Sequence, residues 1–168
     1  PTDYLAVCTG NLTVAAEIDP AQTNDNFPQK LFSPILYTGT DADINVPVGF
    51  KPDWVWLKNR AATYNHYLFD STRGVTKILR ADTNAAEATT AESLKAFIST
   101  GFTYGDDATG NEGSATMVSW NWRANGGSLT ANDDGNATSN TQTDPSGAFS
   151  IVKYTGTANA LTVGHGLS

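Results

Sequence analysis

The sequence has few of the residues that disulfides, metal sites and nucleic-acid interfaces require. Its 168 residues include one cysteine, two histidines and only 10 lysines and arginines, against 17 aspartates and glutamates. The single Cys8 excludes an internal disulfide, and its apolar neighbours favour a buried small side chain over a nucleophile. A net charge of −7 argues against a nucleic-acid partner, because phosphate backbones are bound by clustered positive charge. No hydrophobic run is long enough to span a bilayer, so we expect no membrane span.

The sequence consists instead of short alternating segments separated by turn residues. Residues 54–58 and 117–123 alternate with a period of two, as half-buried strands do. Turn residues recur every 8–12 positions, which predicts an all-β fold: an antiparallel β-sandwich, jelly-roll-like. Residues 84–98 are the one helical candidate, because Asn84 and Glu87 resemble a capping box. The prediction is therefore a sandwich with at most one short helix.

Tryptophans stand two apart on two of the predicted strands. Because a buried aromatic ring removes about 150–250 Å² from water, these side chains can supply much of the core of a sandwich. We expect at least one pair to point inward, and we assign all four to the core: Trp54, Trp56, Trp120 and Trp122.

Residues 32–50 and 149–167 align without a gap, at an offset of 117 residues. Both contain Phe-Ser, then Tyr-Thr-Gly-Thr, at 37–40 and 154–157, then a shared valine and glycine. The offset is the length of a small domain rather than of a solenoid turn. Almost nothing follows the second copy, and a half-finished β-unit cannot bury its own apolar face. We expect the second copy to pack against residues outside this chain. The chain would then be a fragment of a longer modular protein.

We identify no catalytic residue and no cofactor motif in the sequence. His66 and Asp70 stand about 13 Å apart along a predicted strand, too far to form a triad with Ser71. Carboxylates in Gly-rich loops are weak candidates for Ca²⁺, without an ordered calcium-loop spacing. They are Asp106, Asp107, Asp133 and Asp134.

Exposed aromatics offer a second kind of site. Tyr64, Tyr67 and Tyr104 are candidates for stacking on sugar rings, as in lectin-like sandwiches. The alternative is that these rings belong to the core or to an oligomer interface. The loops 105–114 and 125–147 are expected to be exposed tips that contact a receptor or neighbouring proteins.

The order of motifs resembles an uncharacterised repeat domain of bacteriophage virion and tail-fibre proteins, of the type found in marine phages. The matching segments are Tyr37–Thr40, Gly49–Arg60, Asp70–Gly74, Gly101–Phe102 and Trp120–Gly127, with Asn125 inserted in the last. The opening residues resemble the last strand of a SPRY-like, concanavalin-type domain.

With this resemblance the chain divides into four parts. Residues 1–12 would complete an upstream SPRY-like domain, and 13–30 would be a linker. Residues 31–147 would form the β-sandwich module, and 148–168 the beginning of a second, truncated repeat.

The resemblance implies a structural component of a phage particle, not an enzyme. The module would belong to a tail fibre, spike or surface appendage and contribute to assembly and host attachment. Its partners would be other virion proteins and copies of itself, in threefold symmetry in fibres, with a host-surface glycan as a possible ligand. A carbohydrate-binding module of a secreted or surface bacterial protein is the alternative. A capsid decoration protein or a polysaccharide depolymerase is a more distant one.

Overall fold

The computed structural model describes residues 28–167, and these form three antiparallel sheets. The strands are β1 (Phe32–Thr38), β2 (Ile44–Pro47), β3 (Trp54–Asn59), β4 (Tyr67–Asp70), β5 (Lys77–Arg80), β6 (Ala88–Thr89), β7 (Leu94–Ile98), β8 (Gly101–Tyr104), β9 (Thr116–Trp122), β10 (Thr130–Asn132), β11 (Ser139–Thr143) and β12 (Ser150–Lys153). A 3-10 turn (Pro28–Lys30) precedes β1, and a single α-helical turn, α1 (Ala108–Asn111), precedes β9.

The largest sheet has six strands in the order β1-β9-β3-β4-β5-β6. A second sheet, β2-β8-β7, packs on one of its faces, and a third, β10-β11-β12, follows β9 in the chain. β9 lies between β1 and β3, so strands distant in sequence are neighbours, as in Greek-key sandwiches. Every strand pairing is antiparallel; an isolated bridge between Ala137 and Val163 is parallel. The predicted all-β sandwich class is confirmed.

The hydrophobic core lies between the six-stranded sheet and β2-β8-β7. Its fully buried side chains come from both layers, with Leu57 and Phe69 on one side and Phe102 and Tyr104 on the other. The rings of Phe69 and Tyr104 meet edge to face, 6.0 Å between centroids. Alternation along β3 and β4 supplies these inward residues, because successive side chains point to opposite faces of a sheet.

The tryptophans lie on the other face of the six-stranded sheet, so the prediction that they fill this core is wrong. Trp54 pairs across strands with Trp122, and Trp56 pairs with Trp120; all four are half-buried. Their neighbours along the strands, such as Val55, point into the core. Period two identifies two faces but not which face is covered, and in β3 the smaller aliphatic side chains fit the gap between the sheets.

The predicted helix over residues 84–98 is also wrong, because this segment contains β6 and β7 instead. β7 forms a hairpin with β8, and the carbonyl of Leu94 accepts a hydrogen bond from the amide of Thr76. These tertiary partners override a weak capping-box pattern. Among residues 28–167, α-helix occurs only at α1, in a predicted loop, where the carboxylate of Asp107 caps the amide of Thr109.

Residues 125–147 are not simply an exposed excursion. They contain β10 and β11, and the side chains of Ser139 and Gln142 in β11 are fully buried. The loop 105–114 likewise buries Asn111. Cys8, the proposed upstream strand over 1–12 and the linker up to residue 27 lie outside the described residues.

Candidate functional site

The first copy of the repeat is held by one loop, residues 108–115, which we call the acceptor loop. The hydroxyl of Tyr37 donates to the carbonyl of Gly110 at 2.7 Å. The amide of Gly39 donates to the carbonyl of Ala115 at 2.9 Å. The amide of Thr40 donates to Oδ1 of Asn111 at 2.8 Å. Each residue of the Tyr-Thr-Gly-Thr motif except Thr38 therefore has a specific partner in the acceptor loop.

The central residue of this contact must be glycine for a steric reason. A Cβ on Gly39 would lie 2.1 Å from the carbonyl oxygen of Glu112 and 2.8 Å from the carbonyl carbon of Asn111. Both atoms are backbone, so neither can rotate away. The close approach of two backbone segments, rather than an unusual φ, thus explains this glycine.

Asn111 joins the acceptor loop to the rest of the module. Its side chain is fully buried, and Nδ2 donates to the carbonyls of Gly105 and Ala42. Because Oδ1 accepts from the amide of Thr40, this one side-chain amide links residues 40–42 and the backbone of Gly105 to the acceptor loop. A buried amide with its donors and acceptor satisfied stabilises a single arrangement of those segments.

Two tyrosines next to the acceptor loop are kept neutral by their surroundings. Burial raises the pKa of Tyr37 well above its ordinary value. Burial, and then the charge of Asp107, raise the pKa of Tyr104, whose hydroxyl donates to that carboxylate at 3.2 Å. Neither phenol is placed to act as a proton carrier near neutral pH.

The second copy of the repeat has a different environment. Phe149 stacks on Trp122 with 5.9 Å between ring centroids, and Ile151 in β12 is buried. The Tyr-Thr-Gly-Thr motif that follows is exposed, and Tyr154 retains 54% of its accessible surface. A Cβ on Gly156 would meet no atom within 4 Å. The motif that binds the acceptor loop in the first copy is therefore unused in the second.

A buried polar cluster joins the large sheet to the third sheet. Oδ1 of Asp53 accepts from the hydroxyl of Ser71 at 2.6 Å, and Oδ2 accepts from the amides of Ala124 and Gly126. Oε1 of Gln142 accepts from the amide of Gly127 at 2.7 Å. The Pro-Asp, Asp-Ser and Ala-Asn-Gly-Gly motifs thus meet at one point. Their polar groups hydrogen-bond to each other rather than facing a ligand.

The Asp70–Arg73 pair, next to this cluster, is also structural. The guanidinium of Arg73 contacts the buried carboxylate of Asp70 through Nε and donates to the carbonyl of Leu68 through Nη2. Nη1 reaches Glu87 at 3.2 Å. This pairing balances the buried charge of Asp70 and fixes the turn after β4.

A groove runs between the Trp-bearing face of the large sheet and β12. Its volume is about 420 Å³, and Trp54, Phe149 and Tyr154 present aromatic surface to it. Lys153 adds positive charge at its wall, where Arg73 is already paired with Asp70. Aromatic surface with a few polar groups in a concave site is the usual composition of a small-ligand site.

The predicted tyrosine ligand sites are mostly not at the surface. Tyr104 is fully buried in the core and Tyr67 is 8% exposed, so the prediction that these two contact a ligand is wrong. Tyr64 is half-exposed and stays a candidate. The aromatic residues that the groove does present, Phe149 and Tyr154, were not among the predicted ligand contacts.

The predicted calcium candidates are not brought together. No group of three His, Cys, Asp or Glu side chains converges within residues 28–167. Asp107 caps α1, and Asp134 accepts from the side chain of Asn132 at 2.9 Å. Asp106 and Asp133 are exposed.

The rejected triad residues have separate partners. Nδ1 of His66 accepts from the indole of Trp56 at 2.9 Å, Asp70 holds Arg73, and Ser71 holds Asp53. These three interactions do not connect His66 to Asp70.

Sequence reasoning missed the residues that organise the module. Asn111 and Gln142 lie in segments rich in Asn, Thr and Gly, and no local pattern separates them from solvated neighbours. Asp53 had a usable signal, because it stands between a proline and the start of a strand.

A family model for a domain of unknown function, DUF7483, matches residues 27–168. The match runs through both copies of the repeat and covers most of the chain. Comparisons with curated proteins and with solved structures found no match. No helix among residues 28–167 is long and apolar enough to cross a membrane. The chain belongs to the DUF7483 family of domains of unknown function.

Proposed function

We propose that this protein is a structural module of a bacteriophage particle, in a tail fibre, spike or surface appendage. The motifs that resemble phage virion modules carry this proposal. Within the described residues, the polar members of these motifs are engaged in holding the module together: Asp53 and Ser71 in the buried cluster, and Asp70 with Arg73. Polar groups that bond within the module stabilise its fold, and a stable fold suits a structural role in a particle.

The surface charge and composition support the same role. The chain carries a net charge of −7, which keeps a repeated β-module soluble at high local density. The exposed edge of β1 carries Pro34, which has no N–H to offer to a foreign strand. Assembly with other virion proteins, as symmetric oligomers, and exposure on the particle follow from this proposal.

Location in the particle tests the proposal. Purified phage particles from the source culture are analysed by mass spectrometry and labelled with antibodies raised against the whole chain. We expect peptides from residues 28–167 in the particle fraction and labelling at the tail or surface. Finding the protein only in a soluble secreted fraction would contradict the proposal.

Binding of a glycan is the second candidate function, and the groove beside β12 favours it. Trp54, Phe149 and Tyr154 offer ring faces, and the ammonium of Lys153 offers hydrogen-bond donors. Sugar rings stack on aromatic faces and bind polar groups at their edges. The same function would serve host attachment on a particle or recognition by a bacterial surface protein.

A glycan array on the whole chain tests this candidate. Tyr154→Ala removes a groove residue, whereas Tyr64→Ala removes the half-exposed tyrosine that is the competing candidate outside the groove. We expect binding to fall at least tenfold in the first variant and to stay unchanged in the second. Equal binding by both variants would exclude the groove as the glycan site.

A further inference from the structure

We propose that Phe149–Thr157 is a second docking strand, which takes the place of β1 beside β9 and the acceptor loop in another copy of this module. In the first copy, residues 32–40 occupy that position within their own module. In the second copy the same sequence pattern is present, and Tyr154, Thr155, Gly156 and Thr157 are exposed. The docking would hold whether or not the protein belongs to a virus particle.

The side chains that face the core from β1 are kept in the second copy. Alternation along β1 points Ser33, Ile35 and Tyr37 toward the core and leaves Phe32, Pro34 and Leu36 on the exposed face. The residues aligned with the inward set are Ser150, Val152 and Tyr154. The substitution of isoleucine by valine preserves shape and loses one methylene, so this face fits the same site.

The backbone groups needed for docking are also free in β12. In β1, Leu31 and Gly39 bond to Arg123 and Ala115 across β9, so the odd-numbered residues of β1 form that ladder. Hydrogen-bonded positions alternate along an antiparallel strand. The aligned residues of the second copy are therefore the even-numbered ones.

β12 uses its odd-numbered residues to pair with β11. The carbonyl of Phe149 accepts from the amide of Asp144, and Ile151 stands opposite Gln142 in the same ladder. β12 is the last strand of its sheet, so the groups of Ser150 and Val152 point to its open edge. This strand can pair with β11 on one edge and with a β9 strand on the other, without losing a bond it already makes.

The two faces of the strand divide in the same way. Phe149 stacks on Trp122 of its own module, and Ile151 is buried on the same face of β12. Val152 and Tyr154 are on the opposite face, with Tyr154 54% exposed. One strand would therefore connect two modules, each holding one edge and one face.

Gly156 is the residue that the present arrangement does not explain. It has no neighbour within 4 Å of a built Cβ, and its φ is not in the left-handed region. The aligned Gly39 is enclosed by the backbone of Glu112. An acceptor loop from a second copy of the module supplies the missing reason for this glycine.

Mixing two full-length variants tests the proposal. The acceptor is the Gly39→Asp/Gly156→Asp double variant, in which the aspartate at 39 displaces β1 from the acceptor loop and the aspartate at 156 removes the donor. The donor is the wild-type chain, and the control donor carries Gly156→Asp alone, where the site has room for a side chain. Mass is measured by light scattering after gel filtration.

We expect the acceptor and the wild-type donor to form a complex of twice the single-chain mass, and the control donor to form none. A folded acceptor that binds neither donor, or that binds both equally, would overturn the proposal.

If the acceptor does not fold alone, an extended chain decides the question. Residues 51–147 are added after residue 167 of the full chain, so that the second copy is followed by the rest of a module. We expect a second folded module whose unfolding midpoint falls with Tyr154→Ala, a change that leaves the unextended chain unaffected. An unfolded extension, or an extension insensitive to Tyr154→Ala, would contradict the proposal.

Discussion

Two stretches of this molecule share a sequence pattern and have different neighbours. Residues 32–40 contain β1, the outer strand of the large sheet, and are held to the acceptor loop by Tyr37, Gly39 and Thr40. In residues 149–157, β12 pairs with β11, and the tyrosine and glycine that follow it are exposed. The local sequence is enough to make a strand in both places, and tertiary partners decide which face and which edge are used.

The comparison also separates two reasons for a glycine. Gly39 is required by a backbone 2.1 Å from its missing Cβ, whereas Gly156 has open space around it. Sequence identity between the copies therefore does not mean identical constraint within this chain. Substitutions at paired positions should reveal the difference directly.

The largest effect is expected from the glycine pair. Gly39→Ala forces a methyl group into the backbone of the acceptor loop and should lower the free energy of unfolding by about 3 kcal/mol. Gly156→Ala should change it by no more than about 0.5 kcal/mol, as exposed substitutions do. Urea denaturation of the two variants gives both values. Equal losses would show that the second motif is as enclosed as the first.

The next effect concerns the attachment of the third sheet to the large sheet. Gln142→Leu leaves the amide of Gly127 and the hydroxyl of Thr72 without their partner and should cost about 2 kcal/mol. The mutation should also increase the rate of amide hydrogen exchange in β11 and β12 more than in β3. Uniform exchange throughout the chain would contradict a separate third sheet. Asn140→Leu, an exposed change on the same strand, is the matched control.

Tyr37 and Tyr154 should differ in how they affect the pH dependence of stability. The pKa of folded Tyr37 is raised by burial, so its stabilising effect is complete below the unfolded pKa of about 10 and is lost as pH rises above it. Tyr37→Phe should cost about 1 kcal/mol at neutral pH, because the carbonyl of Gly110 loses its donor. It should also make the alkaline loss of stability shallower.

Tyr154→Phe is the control for this experiment, since Tyr154 is exposed. Unfolding is measured from pH 7 to 11 for both variants and the wild type. A Tyr154→Phe profile as altered as that of Tyr37→Phe would contradict the assignment of only one docked tyrosine.

The sequence predicted the class of fold well and the arrangement of its faces poorly. Alternation over 54–58 and 117–123 predicted β3 and β9, because period two is a local property. The same alternation placed Trp54 and Trp56 in the core, since the larger apolar face is the natural choice. Which face a second sheet covers depends on how β2, β8 and β7 pack on the large sheet, and the alternation within one strand does not encode that packing.

The organising polar residues could not be predicted for a related reason. Gln142 is fully buried although its neighbours are Asn, Thr and Asp, because its partners Ser71 and Gly127 lie on other segments. Tyr104 was a candidate for stacking on sugar rings, yet its hydroxyl reaches Asp107 inside the module. Long-range hydrogen bonds leave no periodic trace in a sequence.

The repeat was the most informative feature of the sequence, because its two copies can be compared in one structure. That it begins a second module stays a prediction. The structure adds that the strand has a free edge at Ser150 and Val152 and a free docking motif beyond it.

Hydrogen exchange at two glycine amides tests the central claim most directly. The Gly39 amide donates to Ala115, and within residues 28–167 the Gly156 amide makes no hydrogen bond. We predict slow exchange at Gly39 and fast exchange at Gly156 in the wild-type chain, with Gly156 becoming slow when the Gly39→Asp/Gly156→Asp acceptor is added. Protection of Gly156 in the chain alone, or no gain of protection in a folded mixture, would contradict the account.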